Sequence, residues 1–126
     1  MCRPDDFPPY DYYESLTPFQ EVLAKSNDLR RAPWKGSPDP LAGHCYIAAE
    51  ALYHRCLDLG YNAKPMFIRH EGQPHWFIVT DYLGVIDPTE RQFKTPVPHE
   101  QAKGKGFLTK QPSKRTLVLM ERMGWV

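Results

Sequence analysis

The sequence predicts an α+β fold in which a central cysteine-bearing helix packs on a small antiparallel sheet. Three observations carry this expectation. Small and apolar residues (Cys45, Ala48, Ala49, Leu52, Cys56 and Leu59) recur at three- and four-residue steps, the spacing of one helical face. KPMFIRH and HWFIVTDY follow as strand candidates, the second alternating His75, Phe77 and Val79 with Trp76, Ile78 and Thr80. A third strand over Leu83–Asp87 is set antiparallel to the second by the tight DYLG turn.

Taken in chain order, LTPFQEVLAKSNDLR begins as a helix. Thr17 can cap it, Pro18 suits the first helical position, and Gln20 can return a bond to close a capping box. Phe19, Val22, Leu23, Ser26 and Leu29 mark its inner stripe. RRAPWKGSPDPLAG then reads as a long loop, able to form one wall of a cleft, with Trp34 its large aromatic. The cysteine helix comes next, with Cys45 in its first turn and Gly60 as its left-handed stop. Small Ala48 and Ala49 would let a sheet approach closely.

In the strand at 64–70, Pro65 lacks an N–H and must lie at the start or on an edge. EGQP supplies the following turn. After Asp87, Pro88 stops the ladder and Thr89 begins a short helical turn. Residues 94–112 read as loop. PSKRTLVLMERMGWV fits a helix capped by Ser113, with Leu117, Met120 and Met123 inward, although its TLVLM run also suits a strand.

The 126 residues fit a single domain, 1–126, and 41% hydrophobic and 13% aromatic content is enough for a compact interior. Thirteen prolines, clustered outside the regular elements, imply a loop-rich periphery. The formal charge of +1 selects no partner. Residues 1–30 carry three basic and six acidic side chains, whereas 94–126 carry seven basic and two acidic. The two ends would neutralise if packed together. A nucleic-acid partner lacks support, since no aromatic-basic alternation or reading motif accompanies the charge.

Three cysteines leave an odd one, and residues 1–15 are polar and proline-broken where a secretory leader would need an apolar run. No stretch approaches a membrane span. A reducing, cytoplasmic location with free thiols is the expectation. Oligomeric state is left open by the sequence.

Cys45, His75 and Asp87 stand in an order that suits a cysteine acyl-transfer triad. A helix N-terminus and a protonated histidine both favour thiolate over thiol, and Cys45 would have both. A carboxylate on the far ring nitrogen fixes the tautomer and direction of an imidazole, the part open to Asp87. Backbone N–H groups around Cys45 could stabilise a tetrahedral oxyanion. If the second and third strands form a hairpin turning near residue 81, residues 75 and 87 come opposite each other.

Each residue also has a structural reading. A cysteine on an apolar helical face is usually core, a histidine can open a strand, and Asp-Pro commonly opens a turn. His44, Cys45, His54, Cys56, His70 and His75 are chemically suited to zinc, but CxxC and HExxH are absent, so no metal or other cofactor is expected. GKGF lacks the glycine spacing and Lys-Ser/Thr ending of a phosphate loop. Lys103, Lys105 and Lys110 then read as a solvated face.

GHCYIAAEALYHRCLDLGYNAKPMF, HWFIV and GVIDPT together resemble the transglutaminase-like superfamily, a branch of the papain-like cysteine enzymes. The resemblance covers about residues 42–93. It implies a papain-like core and matches Cys45, His75 and Asp87 to the nucleophile, the histidine and the aspartate. Trp76 resembles the aromatic that often follows that histidine. The implied activity is thiol-dependent chemistry on the amide or related acyl group of a protein, peptide or small amide substrate. Hydrolysis through a thioester is the expected outcome, because the chain has little material for a second, water-excluding amine site. Amine acyl transfer of the transglutaminase type, and a non-catalytic protein-interaction module on the same fold, are the alternatives. Trp34 and Trp76 are candidates for lining the acyl groove or shielding the intermediate.

Overall fold

The computed structural model describes residues 16–126. Residues 1–15, and with them Cys2 and the expectation about a leader, lie outside the described residues. The fold is α+β: helices α1 (Pro18–Ala24), α2 (Cys45–Asp58) and α3 (Lys114–Arg122) accompany strands β1 (Ala63–His70), β2 (Gln73–Thr80), β3 (Gly84–Ile86) and β4 (Lys103–Gly104). The sheet order is β3-β2-β1-β4, with every neighbouring pair antiparallel. Short 3-10 turns occupy Asn27–Leu29, Ala32–Trp34, Glu90–Gln92 and His99–Gln101.

α1 starts where its cap chemistry says. Thr17 Oγ1 accepts from the Gln20 amide at 3.2 Å, and Gln20 Oε1 accepts from the Thr17 amide at 3.0 Å. It is shorter than the sequence suggests, because a 3-10 turn takes over at Asn27 after Ser26 Oγ donates back to the Val22 carbonyl.

α2 is the spine. Ile47, Ala48 and Ala51 pack with Phe19, Leu23, Leu29, Leu41, Leu119 and Met120, while Ala49 and Cys56 pack with Ile78 of the sheet. The helix is therefore buried on two sides rather than along one stripe, and Leu59 at its end is exposed. Gly60, at φ +88°, ends it in a Schellman motif: the Tyr61 amide bonds Cys56 O and the Gly60 amide bonds Leu57 O. Buried Glu50 ties α2 to α3, accepting from the Ser113 amide at 3.1 Å and Thr116 Oγ1 at 2.6 Å.

The C-terminal segment is a helix, with Ser113 Oγ accepting from the Thr116 amide. Thr116, Leu119 and Met120 face inward; Leu117, expected inside, is exposed. Arg122 of this helix pairs with Asp28 at 2.6 Å, joining the basic end to the acidic beginning.

β1 and β2 form a hairpin through Glu71 (φ +51°) and Gly72 (φ +76°), the two positive φ values of a type I′ turn. β2 thus begins at Gln73, earlier than expected. Pro65 lies inside β1, not at its start, but β4 pairs only with Met66 and Phe67. Pro65 lies just past those two pairs; its carbonyl still accepts the Lys105 amide at 3.2 Å, and it has no N–H to return.

The β2–β3 register corrects one expectation. Ile78 faces Ile86, Val79 faces Val85 and Thr80 faces Gly84, so the turn centres on Tyr82. Thr80 Oγ1 accepts the Leu83 amide at 2.8 Å, and Gly84 takes φ +71°, which holds this longer turn. β3 stops at Ile86; continuing its register would set Asp87 opposite Phe77, diagonal to His75 rather than facing it. Because the slip is even, the two side chains keep the same face.

Candidate active site

Cys45 opens α2 as a half-buried free thiol. Its N-cap, His44, makes no side-chain capping bond, so the first-turn amides around Cys45 lack a capping acceptor. His44 itself is fully buried, and burial, then the charge of Arg30, lowers its pKa to about 4. It is a neutral core group at neutral pH.

Cys45 Sγ lies 3.8 Å from the carbonyl of Pro74, immediately before His75 in β2. Strand alternation puts Trp76 and Ile78 against the helix side and gives His75 a different neighbourhood, with Phe77 and Phe93 against its ring. The thiol therefore meets β2 at its beginning, at the residue before His75, and not across the middle of one sheet face.

His75 is fully buried. Its Nε2 lies 2.7 Å from Asp87 Oδ2, and Nδ1 makes no hydrogen bond. The Cys45 thiol is nonetheless close enough to act on the ring's charge. Burial is the largest influence on His75 and opposes protonation. The Asp87 hydrogen bond, the Cys45 contact and the charges of both together overcome it, raising the pKa to about 9. The ring is an imidazolium at neutral pH.

Asp87 is held by more than His75. His99 Nε2 approaches the same Oδ2 at 2.8 Å, while the buried Oδ1 has no hydrogen-bond partner. Glu90 lies nearby, its Oε1 3.9 Å from His99 Nε2, and burial, then the Asp87 charge, raises its pKa. Asp87, Glu90 and His99 have ligand atoms within 4.8 Å of one another, close enough to surround a cation. The hydrogen bond between His99 and Asp87 accounts for their contact on its own. The residues weighed for zinc from sequence form no three-ligand group among the described residues.

A cleft of about 220 Å³ lies at Cys45, with Trp34, Tyr46, Pro74 and Trp76 in its walls. Trp34 reaches this position by packing on the backbone of Gly43, where a Cβ would come 2.5 Å from Trp34 Cβ and Cγ. Behind it, buried Arg30 Nη1 donates to the carbonyls of Trp34, Asp39 and Ala42 at 3.0–3.2 Å. Trp76 meets Tyr46 and Phe67 edge-on and stacks on Phe107. A larger hollow of about 530 Å³ lies beside Tyr53, His54 and Phe107, but none of Cys45, His75 and Asp87 lines it.

Of the five residues singled out from the sequence, Cys45, Trp34 and Trp76 line this cleft; His75 and Asp87 do not, although His75 directly follows Pro74 of its wall. The sequence reading missed His99 and Arg30. His99 sits in a stretch read as loop, with no periodicity or motif to announce it; Arg30 closes the first helical stretch, where a cation reads as solvated. No family model, curated protein or solved structure matches the chain.

Proposed function

We propose that this protein is a thiol-dependent amide or peptide hydrolase with Cys45, His75 and Asp87 as its triad, built on a papain-like, transglutaminase-like core at about 42–93. The observation that carries the reading is the division of labour on His75. One ring nitrogen is fixed by a buried carboxylate, and the other makes no hydrogen bond beside a thiol. Buried His44 also leaves its ring nitrogens without partners, but it has no carboxylate to steer it, and that is what sets His75 apart.

Cys45, as a thiolate beside the imidazolium, attacks the amide carbonyl and forms a C–S bond. The oxyanion is received by the uncapped amides of the first turn of α2. His75 gives its proton to the amine nitrogen as the C–N bond breaks, leaving a thioester. Water then yields a proton to neutral His75 and adds to the thioester carbonyl. The C–S bond breaks, releasing the acid and restoring the ion pair. Asp87 orients His75 throughout and does not take its proton. Trp34 and Trp76 cover the acyl group. Free thiols at Cys45 and Cys56 suit the proposed cytoplasmic setting.

A thiol-directed electrophile tests this directly. Native Cys45 is expected to react faster than Cys56, Cys2 or the unfolded thiols, and His75→Ala to slow it. Equal reactivity in native and unfolded protein would overturn the proposal. Incubation with a peptide and amide mixture should then yield a mass adduct on Cys45. Its release by water as opposed to an added amine separates hydrolysis from acyl transfer. A Cys45→Ala protein with its full biological effect would instead establish a non-catalytic interaction module.

A further inference from the structure

The cleft in front of Cys45 is lined by cationic and neutral side chains. Arg31 and Arg115 both line it, together with the amides of Gln73 and Gln92, and no aspartate or glutamate is among its lining residues. The arginines come from distant parts of the chain: Arg31 precedes the 3-10 turn at Ala32–Trp34, and Arg115 belongs to the first turn of α3. They are close enough to feel each other. Burial, and next the charge of Arg31, lowers the pKa of Arg115, with Glu50 and Tyr46 acting in the other direction.

Their surroundings differ. Arg115 Nη1 donates to the Leu29 carbonyl, which fixes that guanidinium in the wall. Arg31 is exposed and has no side-chain hydrogen bond or ion pair among the described residues. Gln92 contributes a buried Nε2 with no hydrogen-bond partner. Two like charges brought together, and a buried donor without an acceptor, are each unfavourable alone. One anion in the cleft would offset both.

We propose that the acyl part of the substrate carries a carboxylate, received by Arg31, Arg115 and Gln92 beside the scissile carbonyl. This deepens the thiol-hydrolase reading and rests on it. A guanidinium fork matches a carboxylate with two parallel hydrogen bonds, which favours this anion over a diffuse negative surface. The cleft volume of about 220 Å³ limits the acyl group to the size of a short dicarboxylic acid or an acidic amino-acid side chain. Trp34 and Trp76 cover its methylene groups. The substrate class is therefore a compact acidic acyl amide.

Iodoacetate and iodoacetamide test this, because they alkylate the same sulfur and differ in carboxylate against carboxamide. The quantity measured is the ratio of their rates at Cys45, by mass spectrometry, which cancels any general change in thiol reactivity. Arg31→Gln is expected to lower the acetate-to-acetamide ratio by about three- to tenfold. Lys35→Gln, which removes an exposed cation outside the cleft lining, should leave it unchanged. Arg115→Lys, which keeps the charge and loses the fork, should fall between wild type and Arg31→Gln. His75 is present throughout, so attraction to its imidazolium does not enter the comparison.

Added salt should lower the ratio in wild type more than in Arg31→Gln. An unchanged ratio in Arg31→Gln, with iodoacetamide still reacting faster at native Cys45 than at the unfolded thiol, overturns the carboxylate proposal alone. Iodoacetamide reacting no faster at native Cys45 overturns the hydrolase reading and this proposal with it.

Discussion

His75 and His99 donate to the same oxygen of Asp87, at 2.7 and 2.8 Å. An ionised carboxylate only accepts, so both Nε2 atoms carry their hydrogens. The two donors come from unrelated places, one from β2 and the other from the short turn at His99–Gln101. Asp87 is thereby gripped from two sides, although it lies just beyond the end of β3 where no ladder bond would hold it.

Asp87→Asn keeps the shape of that side chain and removes its charge. The hydrogen bond and charge that hold His75 up at about 9 are then weakened while burial remains, so its pKa should fall toward or below 6.5. NMR titration of the ring reads this directly. Alkylation of Cys45 at neutral pH should fall about tenfold or more with it.

His99→Gln should act more gently. Asp87 Oδ2 keeps His75, but one buried hydrogen bond to a charged group is lost, costing about 1–3 kcal/mol in urea unfolding. The expected signature is a shifted midpoint with a smaller loss of Cys45 reactivity than in Asp87→Asn. A loss equal to that of Asp87→Asn would show that His99 sets the charge of the carboxylate rather than its position.

Stability should peak near pH 6.5, because two buried histidines are shifted in opposite directions. His75 is raised from 6.5 to about 9, so its contribution is complete below 6.5 and disappears as the pH rises through 9. His44 is lowered from 6.5 to about 4, so its contribution is complete above 6.5 and disappears as the pH falls through 4. Each limb amounts to about 3 kcal/mol. Urea unfolding across pH 4–9 should show both limbs, and His75→Gln should remove the alkaline one.

Gly43→Ala should disturb the cleft without touching a reacting group. The backbone there has φ +82°, and the new methyl would stand 2.5 Å from Trp34 Cβ, too close for a side-chain rotation to relieve. Strain and displacement together should cost about 1–3 kcal/mol. The Trp34 contribution to fluorescence should change, and Cys45 should become more open to bulky thiol reagents.

The parts of this molecule governed by short-range chemistry were legible in its sequence. The Thr17–Gln20 capping box, the Gly60 stop and the helix over 45–58 all follow from residues a few positions apart. The pairing of His75 with Asp87 was also reachable, since hairpin register depends on a short turn. It was placed two residues off, because Thr80 Oγ1 and Gly84 build a longer turn than DYLG suggests. What stayed hidden depends on distant partners. Leu119 displaces Leu117 from the core only because α3 packs beside α1 and α2, and His99 acquires its meaning from a carboxylate that the fold brings to it.

Arg30 grips the segment before α2 by its main chain, through the carbonyls of Trp34, Asp39 and Ala42. Such a clamp is blind to the identity of the residues it holds. Exposed Pro38 can therefore be exchanged for others without loosening it, whereas position 30 itself tolerates no substitute that lacks several donors. The rim of this protein is a place where new selectivity can be written cheaply, by mutation or by design, around an anchor that stays put.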